Sequence, residues 1–253
     1  MKHIVAILFL GLALSIQGRP NNEPYIIGGV PVEPREFPEM VSIQIDGMPR
    51  CGGTILSEGW IMTIAHCMVY DMHDYAVVAG SDNLDKDQGT RHSVNKIIIH
   101  QNYSKEDSWR NDIALVSVTP PIKLGSINQA GKLADPSEGI NEGDMATVIG
   151  YGSNKYEGLP TNVLEKANIA VSNHDQCNTI YNSNFGLNVH DTQLCAGMEG
   201  RGFCGFDTGS PLFIKGKVIG ISSWTYKCAE PGFPEVFTYV SKYIDWINDN
   251  LKP

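Results

Sequence analysis

The six cysteines constrain this chain most, because their placement leaves them little to do except cross-link it. Cys51, Cys67, Cys177, Cys195, Cys204 and Cys228 are even in number and contain no C-x-x-C pair, so a structural zinc site lacks its usual spacing. Met1-Lys2-His3, the apolar run from Ile4 to Leu14 and then Ser15-Ile16-Gln17-Gly18 give a basic start, an apolar middle and a small-residue end. That is the pattern of a secretory signal, with cleavage expected near Gly18. A membrane anchor needs about 20 apolar residues, and this run is far shorter. Export would put the cysteines in an oxidising compartment, where three disulfides are the simplest reading. Counting alone does not choose among the possible pairings.

The 253 residues are enough for a sizeable core, and 42% hydrophobic with 19% charged residues is an ordinary globular composition. A formal charge of −9 excludes a generally basic, nucleic-acid-binding surface. From Ile26 onward, short runs rich in Val, Ile, Tyr and Phe, such as 41–45, 75–79 and 218–222, are separated by Gly, Pro and Asn clusters. This pattern predicts an antiparallel all-β protein. The stretch from Pro120 to Ile140, rich in proline and glycine, reads as a connector between two units of similar size. Val240, Tyr243, Ile244, Ile247 and Leu251 recur at helical spacing, which predicts a C-terminal amphipathic helix on the second unit.

Three separated segments carry chemistry. Ile64-Ala65-His66-Cys67 sets a histidine beside a cysteine at the end of a strand; alone, such a histidine is more often a hydrogen-bonded structural residue. Asn111-Asp112-Ile113-Ala114-Leu115 puts a carboxylate at the head of an apolar strand, where burial is costly unless a donor such as an imidazole N–H satisfies it. Cys204-Gly205-Phe206-Asp207-Thr208-Gly209-Ser210-Pro211 is a tight, glycine-containing turn with a hydroxyl at its apex.

In the order His, Asp, hydroxyl, with these flanking residues, the chain resembles the trypsin-like serine protease family from Ile26 to Pro253. Ile26-Ile27-Gly28-Gly29 resembles the family's mature N-terminus, Gly150-Tyr151-Gly152 its autolysis-strand motif, and Ser223-Trp224 the segment on which substrate backbone pairs. The resemblance implies two packed antiparallel six-stranded β-barrels with a C-terminal α-helix. It divides the chain into a signal over 1–18, a short propeptide over 19–25, one barrel over about 26–130 and the other over about 131–253. It also implies the pairings Cys51–Cys67, Cys177–Cys195 and Cys204–Cys228. The implied roles are His66 as base, Asp112 as its orienting partner and Asp207 as the partner of an Ile26 α-ammonium released by cleavage.

The departures from the family are concentrated. Thr208 stands at the nucleophile, where a branch at Cβ stiffens χ1, and Phe206 stands at the glycine whose amide supplies half of the oxyanion hole. In the substrate pocket Gly202 replaces the floor aspartate of a trypsin, while Phe203, Thr225 and Glu235 replace small residues, which together are expected to fill or block it. Tyr25 precedes Ile26, where most of the family has Lys or Arg. The acidic loop Ser81-Asp82-Asn83-Leu84-Asp85-Lys86-Asp87 sits where many relatives bind calcium but is shorter, and it reads as a solvated turn rather than a metal site.

The resulting expectation is a secreted, monomeric, catalytically inactive homologue that needs no cofactor and binds extracellular proteins. The alternative is a weak or highly selective endopeptidase using Thr208. The pattern of damage resembles the inactivated serine protease paralogues of parasitic mites, which implies interference with host defence proteins such as complement. Asn102-Tyr103-Ser104 adds one candidate N-glycosylation sequon.

Overall fold

The computed structural model describes residues 26–252. The expected signal, the propeptide and Tyr25 lie outside the described residues. Strands β1 (Val30–Pro31), β2 (Met40–Ile45), β3 (Met48–Ser57), β4 (Trp60–Thr63), β5 (Tyr75–Ala79), β6 (Thr90–Ile99) and β7 (Ala114–Thr119) are followed by β8 (Met145–Gly150) and β9 (Glu165–Val171). Helix α1 (His174–Phe185) then leads to β10 (Gln193–Gly197), β11 (Pro211–Ile214), β12 (Lys217–Trp224), β13 (Glu235–Tyr239) and helix α2 (Ile244–Leu251).

The first unit closes as a six-stranded antiparallel barrel in the order β2-β3-β4-β7-β6-β5. The second runs β9-β10-β13-β12-β11-β8 and closes through β8 on β9, with β1 added on the outer side of β9. Two six-stranded barrels are therefore present. In β9 burial alternates, with Ala167, Ile169 and Val171 inward, whereas β2 and β5 are buried along their whole length, Ile43, Ile45, Val77 and Ala79 included. Each fully buried Ile or Val side chain is worth about 1.5–3 kcal/mol relative to exposure. One apolar cluster runs from barrel one across the seam to Phe213, Val218, Ile221 and the C-terminal residues Val240, Tyr243 and Ile247. The barrels thus share a core, and their seam is where the chemistry-bearing loops converge.

Cys51–Cys67, Cys177–Cys195 and Cys204–Cys228 are bonded, in the expected pairing. Each closes a loop of 16 to 24 residues, removing about 3 kcal/mol of unfolded-state entropy in the loop-closure account. The chain from 120 to 144 forms no strand of either barrel, as a connector should. The C-terminal segment differs from the expected single α-helix: Val240–Tyr243 is a 3₁₀ turn and only Ile244–Leu251 is α-helical. The tighter turn buries Val240, Ser241 and Tyr243 together as the chain leaves β13.

Candidate active site

His66 lies in a 3₁₀ turn directly after β4, held by the adjacent Cys67 disulfide, and Asp112 lies just before β7, the ladder partner of β4. That pairing sets the two side by side. His66 Nδ1 is 2.7 Å from Asp112 Oδ2, and the His66 backbone N–H donates to Asp112 Oδ1 at 2.9 Å. Ser223 Oγ–H donates to Asp112 Oδ2 at 2.7 Å. Asp112 is 1% exposed, so these three donors are what make its burial tolerable. The imidazole has its orienting partner in place and stays partly open to solvent.

The elbow at 204–210 packs against barrel one. Gly52 N–H donates to the Thr208 carbonyl at 2.9 Å, and Gly209 turns the chain at φ +88°, where a Cβ would sit 2.4 Å from the Gly52 carbonyl oxygen. Only glycine fits there. The Thr208 hydroxyl does not bond to His66. Its Oγ1 lies 3.6 Å from Cys51 Sγ and 3.7 Å from Cys67 Sγ, and a disulfide sulfur has no proton to give, so any bond there is a weak one with the hydroxyl as donor. Phe206 has φ +73°, a left-handed conformation that a bulky residue adopts only under strain of about 1–3 kcal/mol. Neither the Phe206 nor the Thr208 amide donates a hydrogen bond among the described residues, so the two donors of an oxyanion site remain unspent.

A cleft of about 560 Å³ along the seam is lined by His66, Thr208, Phe203, Ser223, Trp224 and Thr225, with Tyr103, Lys105, Trp109 and Lys227 further along. Of the six expected pocket residues, Gly202 and Glu235 do not line it. Phe203, 1% exposed, does line it and packs edge-on against Phe237 at 5.2 Å, whereas Glu235 lines a separate cavity with Gly197, Arg201, Ala229 and Phe233. A Cβ on Gly202 would fall 1.9 Å from Glu235 Oε1. The Phe203 N–H donates to Glu235 Oε2 at 3.0 Å, and the Ala229 backbone also reaches this carboxyl. Burial pushes this carboxyl well above the usual range, and the nearby Asp207 adds to the rise. Along the cleft wall Trp109 stacks on Trp224 at 5.8 Å, and Tyr181 meets the other side of Trp224 edge-on at 4.7 Å.

Ile26 and Asp207 are both fully buried, but they do not pair here. The Ile26 N–H donates to Glu165 Oε2 at 2.9 Å. The Asp207 oxygens accept instead from Gly152 at 2.7 Å and Cys204 at 2.9 Å. The ion pair requires an α-ammonium, and in the intact chain the Ile26 nitrogen is a neutral amide. Glu165, which the sequence reading did not single out, is the acceptor of this N–H. Its signal was a carboxylate in the same inward register as Ala167, Ile169 and Val171.

The acidic 81–87 loop is closed by Arg35, whose backbone N–H donates to Asp82 at 2.8 Å and whose guanidinium meets Asp87 and the Gly80 carbonyl. Among the described residues no group of three His, Cys, Asp or Glu side chains is arranged to hold a metal. Asn102 is exposed, and its side chain bonds to nothing among the described residues.

With this geometry in view, the chain matches the family model described as Trypsin over residues 26–247. It is 31% identical to the vitellin-degrading protease of Bombyx mori, covering 98% of this chain and 94% of that protein. It is 30% identical to a trypsin of Phaedon cochleariae, over 98% and 96% of the two chains. It is also 30% identical to the protein named trypsin, alkaline B, of Manduca sexta, over 99% and 100%. The paired barrels, the three disulfides, the His66–Asp112–Ser223 network and the family match together place this chain in the trypsin-like serine protease family.

Proposed function

We propose that this chain is a protease homologue with little peptide turnover, and that it works as an extracellular scaffold binding other proteins through the seam cleft and its surrounding loops. The observation that carries this is that three neighbouring positions of the site have changed together: Thr208 at the apex of the elbow, Phe206 at φ +73° beside it and the buried Phe203 lining the cleft. Phe206 keeps its N–H, but a bulky residue in the left-handed region strains the turn that has to present it. The buried Phe203 lines the cleft at a position where the family carries a small residue. Extracellular residence is supported by three disulfides, by the basic-apolar-small pattern at the N-terminus and by the absence among the described residues of a helix long and apolar enough to cross a membrane. Within this proposal, the partner class that the mite resemblance implies is host defence proteins such as complement.

A second reading keeps a slow or selective endopeptidase, because the His66–Asp112–Ser223 network is complete and the Phe206 and Thr208 amides are free to bind an oxyanion. A fluorophosphonate probe and a mixed peptide library separate the two readings. The scaffold reading expects neither labelling at Thr208 nor sequence-selective cleavage; stoichiometric labelling together with repeated turnover defeats it.

A further inference from the structure

Asn102-Tyr103-Ser104 is the only N-x-S/T triplet in the chain, and it opens the loop between β6 and β7. That loop sends Tyr103, Lys105 and Trp109 into the seam cleft, while Asn102 and Ser104 do not line it. The neck of the loop is tied: Asn111 Nδ2 donates to the Asn102 carbonyl at 2.8 Å, and the Ser104 N–H donates to the Arg110 carbonyl at 3.0 Å. Its inner side is anchored to the second barrel, where Ser108 Oγ accepts from the Asn188 N–H at 3.0 Å and the Ser108 carbonyl accepts from Gln193 Nε2 at 2.9 Å. Asn102 is left exposed, with its side chain unbonded among the described residues, so a group attached there displaces nothing. Beside it runs a polar groove of about 260 Å³ lined by Asn102, Ser104, Asp107, Arg110 and Asn111. The groove offers both hydrogen-bonding roles, since Asp107 accepts and Arg110 donates. Asp107 is fixed in place by His190, whose Nε2 lies 3.0 Å from its Oδ1.

We propose that Asn102 carries an N-linked oligosaccharide whose first sugar lies in this groove against Asp107 and Arg110 and shields the loop that walls the seam cleft. The proposal rests on the extracellular reading above, because the sugar donor, a lipid pyrophosphate-linked oligosaccharide, is met on the secretory route. In the transfer, Asn102 Nδ2 forms a bond to C1 of the first sugar, the bond from C1 to the pyrophosphate oxygen breaks, the lipid pyrophosphate leaves and the amide loses one proton. The triplet suits that chemistry, with a side-chain amide, a hydroxyl two residues on and no proline between them. Seated in the groove, the sugar's hydroxyls and acetamide meet the Asp107 carboxylate and the Arg110 guanidinium. The loop gains from cover, since Lys105 and Arg110 are exposed in a surface loop of the kind that proteases nick first.

The test is expression of the full chain in cultured insect cells, then digestion with peptide-N-glycosidase and mass spectrometry of chain from the medium and from the cells. Wild type and Ser104→Thr from the medium should lose mass on digestion, hydrolysis leaving an aspartate where the sugar was. Asn102→Gln and Ser104→Ala should lose none. Protection of the Arg110 site from trypsin, measured against cutting after the exposed Lys86, should be lost on native deglycosylation and in Asn102→Gln. Wild-type chain in the medium without sugar would overturn the site and leave the extracellular reading standing, whereas chain held in the cells without sugar would overturn both. A sugar at Asn102 whose removal leaves cutting after Arg110 unchanged would overturn the shield. Should Asn102→Gln fail to fold, the Ser104→Thr and Ser104→Ala pair decides the site and native deglycosylation decides the shield.

Discussion

Threonine at 208 differs from serine by one methyl, yet in this elbow the difference joins two others. Thr208→Ser alone should leave hydrolysis of peptide substrates near background, because Phe206 still strains the oxyanion turn and Phe203 still lines the cleft. Strong peptidase activity from that single change, measured on a peptide library, would show that the two phenylalanines matter little. Phe206→Gly should raise stability by about 1 kcal/mol by relieving a positive φ, a rise of about 2–4 °C in Tm for a chain of this size. Calorimetry checks it, and an unchanged Tm would mean that the turn is not strained. His66, Asp112 and Thr208 were named from the sequence as candidates, and the fold brings His66 onto Asp112 and sets His66 and Thr208 along one cleft. The direction of a hydroxyl was not legible there: which of several acceptors Thr208 faces depends on side chains more than 140 residues away in the chain. Glu165 was hidden for a related reason, because a lone Glu at the head of a strand is normally solvated.

Among the elements, β5 fell within its expected bounds and β2 and β12 within two residues of theirs, because alternating Val and Ile bounded by turn residues leave few other readings. Helix α1 was not anticipated. It buries only Cys177 and Tyr181, one turn apart, so its apolar stripe is too thin to announce itself. Its ends did carry a signal: the Asn173 side chain accepts from the Gln176 N–H, and Gly186 closes the helix at φ +68°. The 81–87 loop behaves as an element with its own counterion, since Arg35 links it to the N-terminal segment. Arg35→Ala should lower stability by about 1 kcal/mol, modest because the guanidinium is partly exposed. Denaturant titration checks this, and it should also find faster proteolysis confined to the loop. No change in either would mean that the loop holds its shape unaided.

For the whole molecule, the buried acids of the second barrel set the response to pH. Burial pushes the Asp207 carboxyl up to about 8, with Glu165 adding to the rise and the Cys204 and Gly152 amides opposing it. A carboxyl raised on folding binds more protons in the native state than in the unfolded chain. Its contribution to stability is therefore greatest below its ordinary value near 3.8 and is lost as pH climbs toward 8. Glu235 acts in the same direction. The intact chain should lose stability steadily across that window, and Asp207→Asn should flatten the slope; equal slopes for the two proteins in denaturation at several pH values would rule this out. The two-barrel plan itself was readable from strand spacing, the proline-rich connector and the family motifs, whereas the lining of the cleft was set by how one ring packs. The residue at 203 lines the seam cleft with its ring and holds the buried Glu235 carboxyl with its own N–H. Trimming it to serine should admit solvent to the Glu235 carboxyl, let it ionise, and give the variant a measurable affinity for benzamidine that the parent lacks. A dormant preference for positively charged guests would then lie one substitution away.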